Sequence, residues 1–425
     1  MKIVIIGNGA AGNEAAETIR KYDKTVEITM ISDETFPQYS ACALPDCISG
    51  WIPRSRLFLK NNEDYEDKHI KIEFGQTVTG IDINKNQVIL EKTRISYDKL
   101  IIAAGSRAFI PPVKGTGLPG NFVVKTLSDV DRINTHKPFR AVVVGSGNIG
   151  VEAAEGLEMQ GCEVTLIELM DRIMPKAFDE MPSLLLRKIL EDNNIKVFTR
   201  EKVLAAEGVN RVERIITDKQ NISCDTVIWA VGVRQNVELT GGTGIDIGKL
   251  GGIKVNSRMQ TNHKDVYACG DCIESFDLLT GKPALSMLWP SAKRQAQVAA
   301  LNCIGKQVEY EGAFNVVMEE IYDTPCVSIG LTADLLGCDF QVIEDKDDHF
   351  YYRVLIIDDH VVGLQSIGKC RGVGAVMALI KNKTAVSEVK RVIENGELIQ
   401  KVPWFLQAGK YLGISEENSC SRKSI

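Results

Sequence analysis

An α/β fold with two similar parallel-sheet domains, followed by a smaller α+β domain, is the architecture encoded by this chain of 425 residues. Three observations predict it. A strand, glycine turn and helix open the chain; the same pattern returns near residue 140; beyond residue 319, apolar strands alternate with helical stretches. A chain of this length needs more than one hydrophobic core, so two or three domains are expected.

The run "KIVIIG" (Lys2 to Gly7) is short, apolar and β-branched, as suits a strand buried on both faces. It leads into "GNGAAG", in which Gly7, Gly9 and Gly12 are spaced G-x-G-x-x-G around Ala10 and Ala11. A helical pattern follows through Arg20, then a second strand, "VEITMIS", ending at Asp33 and Glu34. Such a Rossmann-like βαβ unit assigns the glycines separate tasks: a tight turn, close approach of backbone to a pyrophosphate, and close packing of helix on strand. The helix start offers N–H groups and the positive dipole end to phosphate, and the acidic terminus suits a ribose hydroxyl.

The pattern recurs in "RAVVVGSGNIGVEAAEGLEMQGCEVTLIE", with Gly145, Gly147 and Gly150 around Asn148 and Ile149, and a strand ending at Glu168. A carboxylate there accepts hydrogen bonds from a ribose diol and repels a 2′-phosphate, which predicts NADH over NADPH. Arg172 is the counterweight: it is either a phosphate ligand or a solvated charge flanking the helix, and the second reading is preferred.

Composition narrows the function classes. The apolar share is 44%, the charged share 25% and the net charge −6, which argues against non-specific nucleic-acid binding, since that needs a basic face. No apolar run reaches membrane-spanning length, so no membrane insertion is expected. The opening apolar run lacks a small-residue cleavage site and enters a glycine turn, so it reads as fold rather than signal peptide and the protein as cytoplasmic. Eleven scattered cysteines imply mostly reduced thiols, and no Cys/His spacing suits a metal. Cys162, Cys224, Cys303, Cys326, Cys338 and Cys370 sit in apolar patterns and read as core.

Three further segments carry a family resemblance. They are "YDKLIIAAGS" with Ala104 and Gly105, "DTVIWAVGVRQNVEL" with Val231 and Gly232, and "VYACGDC" with Gly270 and Asp271. With the two glycine turns, and in this order, they resemble the pyridine-nucleotide–disulfide reductase superfamily over roughly residues 1 to 335. The nearest groups by pattern are the NADH oxidases and coenzyme A-disulfide reductases, and the NADH-linked flavoprotein subunits of iron–sulfur oxidoreductase complexes. The resemblance implies FAD and NAD as cofactors. It also implies a discontinuous FAD domain (1–112 and 245–318), an inserted NAD(H) domain (113–244) and a C-terminal α+β interface domain (319–414) before a flexible tail (415–425). In the family the interface domain pairs subunits, so a homodimer or part of a hetero-oligomer is expected. Asp271 would hold the ribityl chain, and the helix holding Trp289, Ser291 and Ala292 would point its start at the flavin. There the dipole stabilises a reduced anionic ring by roughly 0.3–2 kcal/mol. Glu152, in "GVE", matches a glutamate near the flavin–nicotinamide contact. NADH would dock with its nicotinamide over the flavin and pass a hydride to it.

The stretch "PQYSACALPDCISG" then acquires meaning. It reads as a loop of small, turn-prone residues with four residues between Cys42 and Cys47. "SACALP", with Ala41 and Cys42, fits the S-x-C-G-L-P of relatives in which one cysteine faces the flavin. Three readings stay open: Cys42 alone as a thiolate relay, a Cys42–Cys47 redox disulfide, or Cys42 as a small filler beside the ring. "LPDC" lacks the lysine that follows the family's dithiol. Ala10 and Ala11 replace a peroxidase histidine, Asn148 replaces a gating tyrosine, and no His-Pro counterpart completes a disulfide site. Cys269 and Cys272 flank Asp271 with C-x-x-C spacing but read as small residues of a flavin loop. The expected activity is an FAD-dependent NAD(H) oxidoreductase whose acceptor is an iron–sulfur or other electron-carrier protein. The alternatives are a small disulfide or persulfide reduced through Cys42, an NADH oxidase and, least, a flavin-based NADH sensor.

Overall fold

The computed structural model describes residues 1–347, 349–370 and 372–388. The expected tail, and the helical pattern running past residue 388, lie outside the described residues. The chain divides into two compact units, the first built from Met1–Cys47, Ile52–Phe109 and Val233–Ala313, the second from Ile48–Trp51, Ile110–Gly232 and Phe314 onward.

In the first unit, strand Lys2–Ile6 is central, flanked by Glu27–Ile31 then Ile70–Glu73 on one side, and by Lys99–Ile102 then Val266–Ala268 on the other. All of these pairings are parallel. Ile3 through Ile6 are all buried, so the strand shows no alternation of polar and apolar residues. Helix Ala10–Tyr22 buries Ala11, Ala15, Ala16 and Ile19, and helix Trp289–Cys303 buries Ala292, Ala296, Ala299 and Ala300. The two helices pack on each other, and alanines on both sides let their backbones approach closely. Ser106–Ala108 and Val233–Gln235, where the chain leaves and returns, pair antiparallel.

The second unit repeats the plan. Strand Arg140–Val144 is central, with Glu163–Ile167 and Lys196–Phe198 to one side and Thr226–Trp229 and Asn121–Phe122 to the other, all parallel. In each sheet the strand order reverses at the first strand, which opens a crevice at the carboxyl ends where ligands of such folds bind.

The same unit carries an antiparallel sheet in the order Val316–Ile321, Thr324–Gly330, His360–Ile367, Tyr351–Ile357, Gln341–Lys346. Its two-residue turns, Tyr322–Asp323 and Asp358–Asp359, are left-handed at both positions, with φ of 47° and 60° and of 47° and 64°. That geometry matches the twist of the strands it joins. Helix Val373–Asn382 packs on strands Thr324–Gly330 and His360–Ile367. A buried carboxylate ties this sheet to residues 110–232. Asp179, preceding helix Glu180–Asp192, accepts from Arg353 Nη1 (3.1 Å), Gln365 Nε2 (2.9 Å) and the Ala333 N–H (3.1 Å). The Asp179 N–H donates to Gln365 Oε1 at 3.0 Å, and Ser328 Oγ donates to the Ala177 carbonyl at 2.5 Å.

Asp179→Ala would leave the half-buried Arg353 guanidinium beside Gln365 without this carboxylate, and Arg353 Nε already has no hydrogen-bond partner among the described residues. Losing one member of such a pair costs about 3–5 kcal/mol. Denaturant unfolding should show that loss, with Asp179→Asn falling between; a loss under about 1 kcal/mol would contradict the anchoring role.

Candidate functional site

The glycines of each turn divide into two kinds. Gly7 has φ +111°, and a Cβ there would sit 2.1 Å from the Ala103 carbonyl oxygen; one on Gly12 would sit 1.9 Å from that of Gly7. The fold itself therefore forbids side chains at both. Gly9 differs: its φ of −79° suits any residue, and among the described residues no atom beyond its own chain neighbours and helix backbone lies within 4 Å of where its Cβ would be. The second turn matches, with Gly145 (φ +98°) against Ala230, Gly150 against Gly145, and Gly147 (φ −69°) facing open space. Nothing in the polypeptide demands glycine at positions 9 and 147. The open space there leaves room for a group to lie across them. Helices Ala10–Tyr22 and Asn148–Met159 also start with no side-chain cap and no acidic residue in the first turn, leaving their N–H groups and dipole ends to an anion. Both turns fit the pyrophosphate of a dinucleotide.

The first turn is held by a network that glycine spacing does not reveal. Asn13, buried, donates from Nδ2 to the Asn8 carbonyl (2.7 Å) and to Asn8 Oδ1 (2.9 Å). Tyr65 Oη donates to Asn8 Oδ1 (2.8 Å) and accepts from the Gln38 N–H (3.0 Å), and burial raises its phenol pKa. Lys60 bridges Asn13 Oδ1 (3.0 Å) and Glu17 (2.7 Å). Burial opposes the Glu17 charge, yet Lys60 and Lys68 prevail and hold its carboxyl below the usual range. At the end of the second strand Asp33 is exposed, while Glu34 is half-buried and accepts from Tyr39 Oη at 2.8 Å.

Distant segments converge on this turn. A Cβ at Gly270 (φ +81°) would lie 3.0 Å from Ala11 Cβ and 3.9 Å from Ala292 Cβ. The Gly270 N–H donates to buried Gln295 Oε1 (2.9 Å), Ser106 Oγ donates to Asp271 Oδ2 (2.7 Å), and Asn236 Nδ2 donates to the Ala104 carbonyl (2.8 Å) beside Gly105. Helix Trp289–Cys303 carries Pro290 in its first turn and has no side-chain cap, with Trp289 and Ser291 half-buried. Just before it, the buried Ser286 Oγ has no hydrogen-bond partner among the described residues. Cys269 and Cys272 are fully buried, and burial raises both thiols, that of Cys272 to about 12. They are packing groups.

The segment after Pro37 is more regular than its composition implies. Ala41–Ala43 forms a 3-10 turn with Ala41 and Cys42 exposed, and Leu44–Ile48 is a helix. Leu44, Cys47 and Ile48 are buried, an i, i+3, i+4 spacing that small neighbours mask in the sequence. The segment leading to it is stitched to residues 57–60, with Ser40 N–H donating to Leu57 and Leu59 N–H to Gln38. Cys338 is exposed rather than core, and Cys370 is disulfide-bonded.

In the second unit, Glu168 is buried at its strand end. Its carboxylate accepts from the Ser146 N–H (2.8 Å), Ser146 Oγ (2.6 Å) and the Met170 N–H (2.8 Å). Ser146, inside the turn, thus fixes the residue expected to read the ribose. Arg172 donates from Nε to the Phe178 carbonyl (3.0 Å) and pairs with Asp171 (3.3 Å) and Asp334. Asn148 Nδ2 donates to Glu319 Oε1 at 2.8 Å, and Glu152 is half-buried one helical turn on. Ile149 and Val231 are exposed, as is Gly232 (φ +107°), which has open space around it.

Residues 1–296 match the family described as pyridine nucleotide-disulphide oxidoreductase. The NADH oxidase of Methanocaldococcus jannaschii is 36% identical over 344 residues, 78% of this chain and 77% of that protein. The assimilatory nitrate reductase electron transfer subunit of Bacillus subtilis is 30% identical over 412 residues, 95% of this chain and 52% of that longer protein. Among solved structures, a NAD-dependent persulfide reductase from A. fulgidus superposes with a TM-score of 0.86 at 25% identity, covering 92% of this chain and 79% of that one.

Gly9→Glu should fold yet purify nearly colourless, whereas Gly7→Ala should fail in folding because its Cβ meets Ala103. Flavin absorbance and unfolding midpoints of the two variants separate these outcomes. A fully yellow Gly9→Glu protein would contradict the assignment of the first turn.

Proposed function

Since the chain belongs to the pyridine nucleotide-disulphide oxidoreductase family and is an FAD-dependent NAD(H) oxidoreductase, we propose that it passes electrons from NADH to an iron–sulfur or other electron-carrier protein. The observation that carries this reading is the likeness to an electron transfer subunit along 95% of the chain. It is supported by Ala10 and Ala11 in the first turn, where a peroxide-polarising histidine would stand, and by the burial of Cys47.

FAD, when bound, supplies a carrier that exchanges a hydride with nicotinamide and can release electrons one at a time. The polypeptide's part is to bind and orient. In this reading the N–H groups of Ala10 and Ala11 and the open face of Gly9 hold the FAD pyrophosphate, and Glu34 takes its ribose. Asp271, oriented by Ser106, takes the ribityl hydroxyls. The start of helix Trp289–Cys303, near Ser291 and Ala292, would offer its positive dipole end to the flavin. Gly147, Asn148, Ile149 and Gly150 hold the NADH pyrophosphate, and Glu168 the ribose diol. Positioning of this kind lowers the barrier mainly by removing the entropy of encounter.

A second reading is favoured by one observation, the exposure of Cys42. An accessible thiol in that segment suits attack on a disulfide or persulfide, and the persulfide reductase likeness agrees with it. Cys42→Ser separates the two. With a ferredoxin-type acceptor and with an artificial dye the variant should keep rates within about two-fold of wild type, because electrons need not pass through sulfur. Wild type that reduces a disulfide or persulfide faster than a ferredoxin-type acceptor, with that activity lost and dye reduction intact in Cys42→Ser, would overturn the proposal in favour of a thiol relay.

A further inference from the structure

Arg172 lies four residues beyond Glu168, in the loop where folds of this kind place an arginine to accept a 2′-phosphate. Its guanidinium is committed elsewhere. Nε donates to the Phe178 carbonyl, one Nη pairs with Asp171, and the other pairs with Asp334 from the 3-10 turn Ala333–Leu335. That turn is itself pinned, because the Ala333 N–H donates to buried Asp179 at 3.1 Å. Phe178 directly precedes Asp179 in the chain, so the carbonyl gripping Arg172 and the turn presenting Asp334 hang on one anchor. The Arg172 side chain is 20% exposed and Asp334 59%, so the carboxylate sits on the solvent side of an otherwise enclosed guanidinium. Loop 168–172 is held in register by Arg200 N–H to the Met170 carbonyl (2.7 Å) and Glu201 N–H to that of Glu168 (3.1 Å). Arg200 itself is exposed and only 3.8 Å from Asp171.

We propose that Asp334 is a positioning residue for coenzyme selection: by occupying and neutralising Arg172 it denies a 2′-phosphate its cationic partner. The inference rests on the reading of Glu168 as the ribose ligand, and adds a second barrier contributed by a residue 166 positions further along the chain. Glu168 repels the phosphate directly, while Asp334 acts through the arginine. With Asp334 neutral, one guanidinium nitrogen is no longer held by a carboxylate and the loop gains one unit of positive charge, both favourable to a dianionic group.

Asp334→Asn is tested by steady-state reduction of a dye with NADH and with NADPH. The KM for NADPH should fall about three- to five-fold, while kcat and the KM for NADH stay within about two-fold. Asp334→Glu, which keeps the charge, should leave both constants near wild type, and Arg172→Gln added to Asp334→Asn should cancel the gain. An unchanged NADPH KM in Asp334→Asn overturns the proposal, as does an equal gain in Asp334→Glu or a gain that survives Arg172→Gln. The wild-type preference itself judges the Glu168 reading separately: equal efficiency with both coenzymes overturns that reading, whereas the proposal stands or falls on the change between variant and wild type.

Discussion

Both dinucleotide-type domains depend on an absent side chain. At Gly7 and at Gly145 the backbone turns through a left-handed conformation while a carbonyl from the neighbouring parallel strand, that of Ala103 or Ala230, closes to within a Cβ radius. Only glycine meets both demands. Once that contact is made, the following helix is seated on its own strand through the second excluded position, Gly12 or Gly150, and its N–H groups come to rest at the mouth of the crevice. Strand order, helix direction and the anion-receptive end are thus linked by one steric condition, met twice in the same chain.

The condition was legible because it leaves a mark in the sequence that spacing alone can carry. The parallel sheets, the helices after each turn and the crossing segments follow from continuous β-branched runs and glycine patterns. What stayed hidden was held by side chains whose partners are remote. Asn8, Asn13, Lys60 and Tyr65 form one network around the first turn, yet nothing local to any of them announces it. Ser146 and Asp334 are similar: their importance lies in what they hold, Glu168 and Arg172. The helix Leu44–Ile48 was obscured differently, by proline and small residues that outvote a buried stripe of only three positions.

Among the cysteines, Cys338 departs from its pattern, exposed where the apolar surroundings read as core. The C-x-x-C around Asp271 reads as small residues of a loop, and full burial agrees: it raises both thiols and makes them spacers that let the Gly270 loop lie against Ala11. Cys42, marked out by "SACALP", is exposed on a short turn in a segment stitched to its neighbour by backbone hydrogen bonds. Burial decides which sulfur is available for chemistry.

The anchor at Asp179 has a consequence for anyone who would transplant the second glycine-turn domain. A cassette cut at the end of its parallel sheet would carry this carboxylate but leave behind Arg353, Gln365 and the Ala333 amide that satisfy it. The excised piece would open Asp179 and the buried Ala177 and Phe178 beside it to water where a seam had been, and graft designs should either bring the antiparallel sheet along or repaint residues 177 to 179. The covalent boundary and the energetic boundary of this domain are different places in the chain.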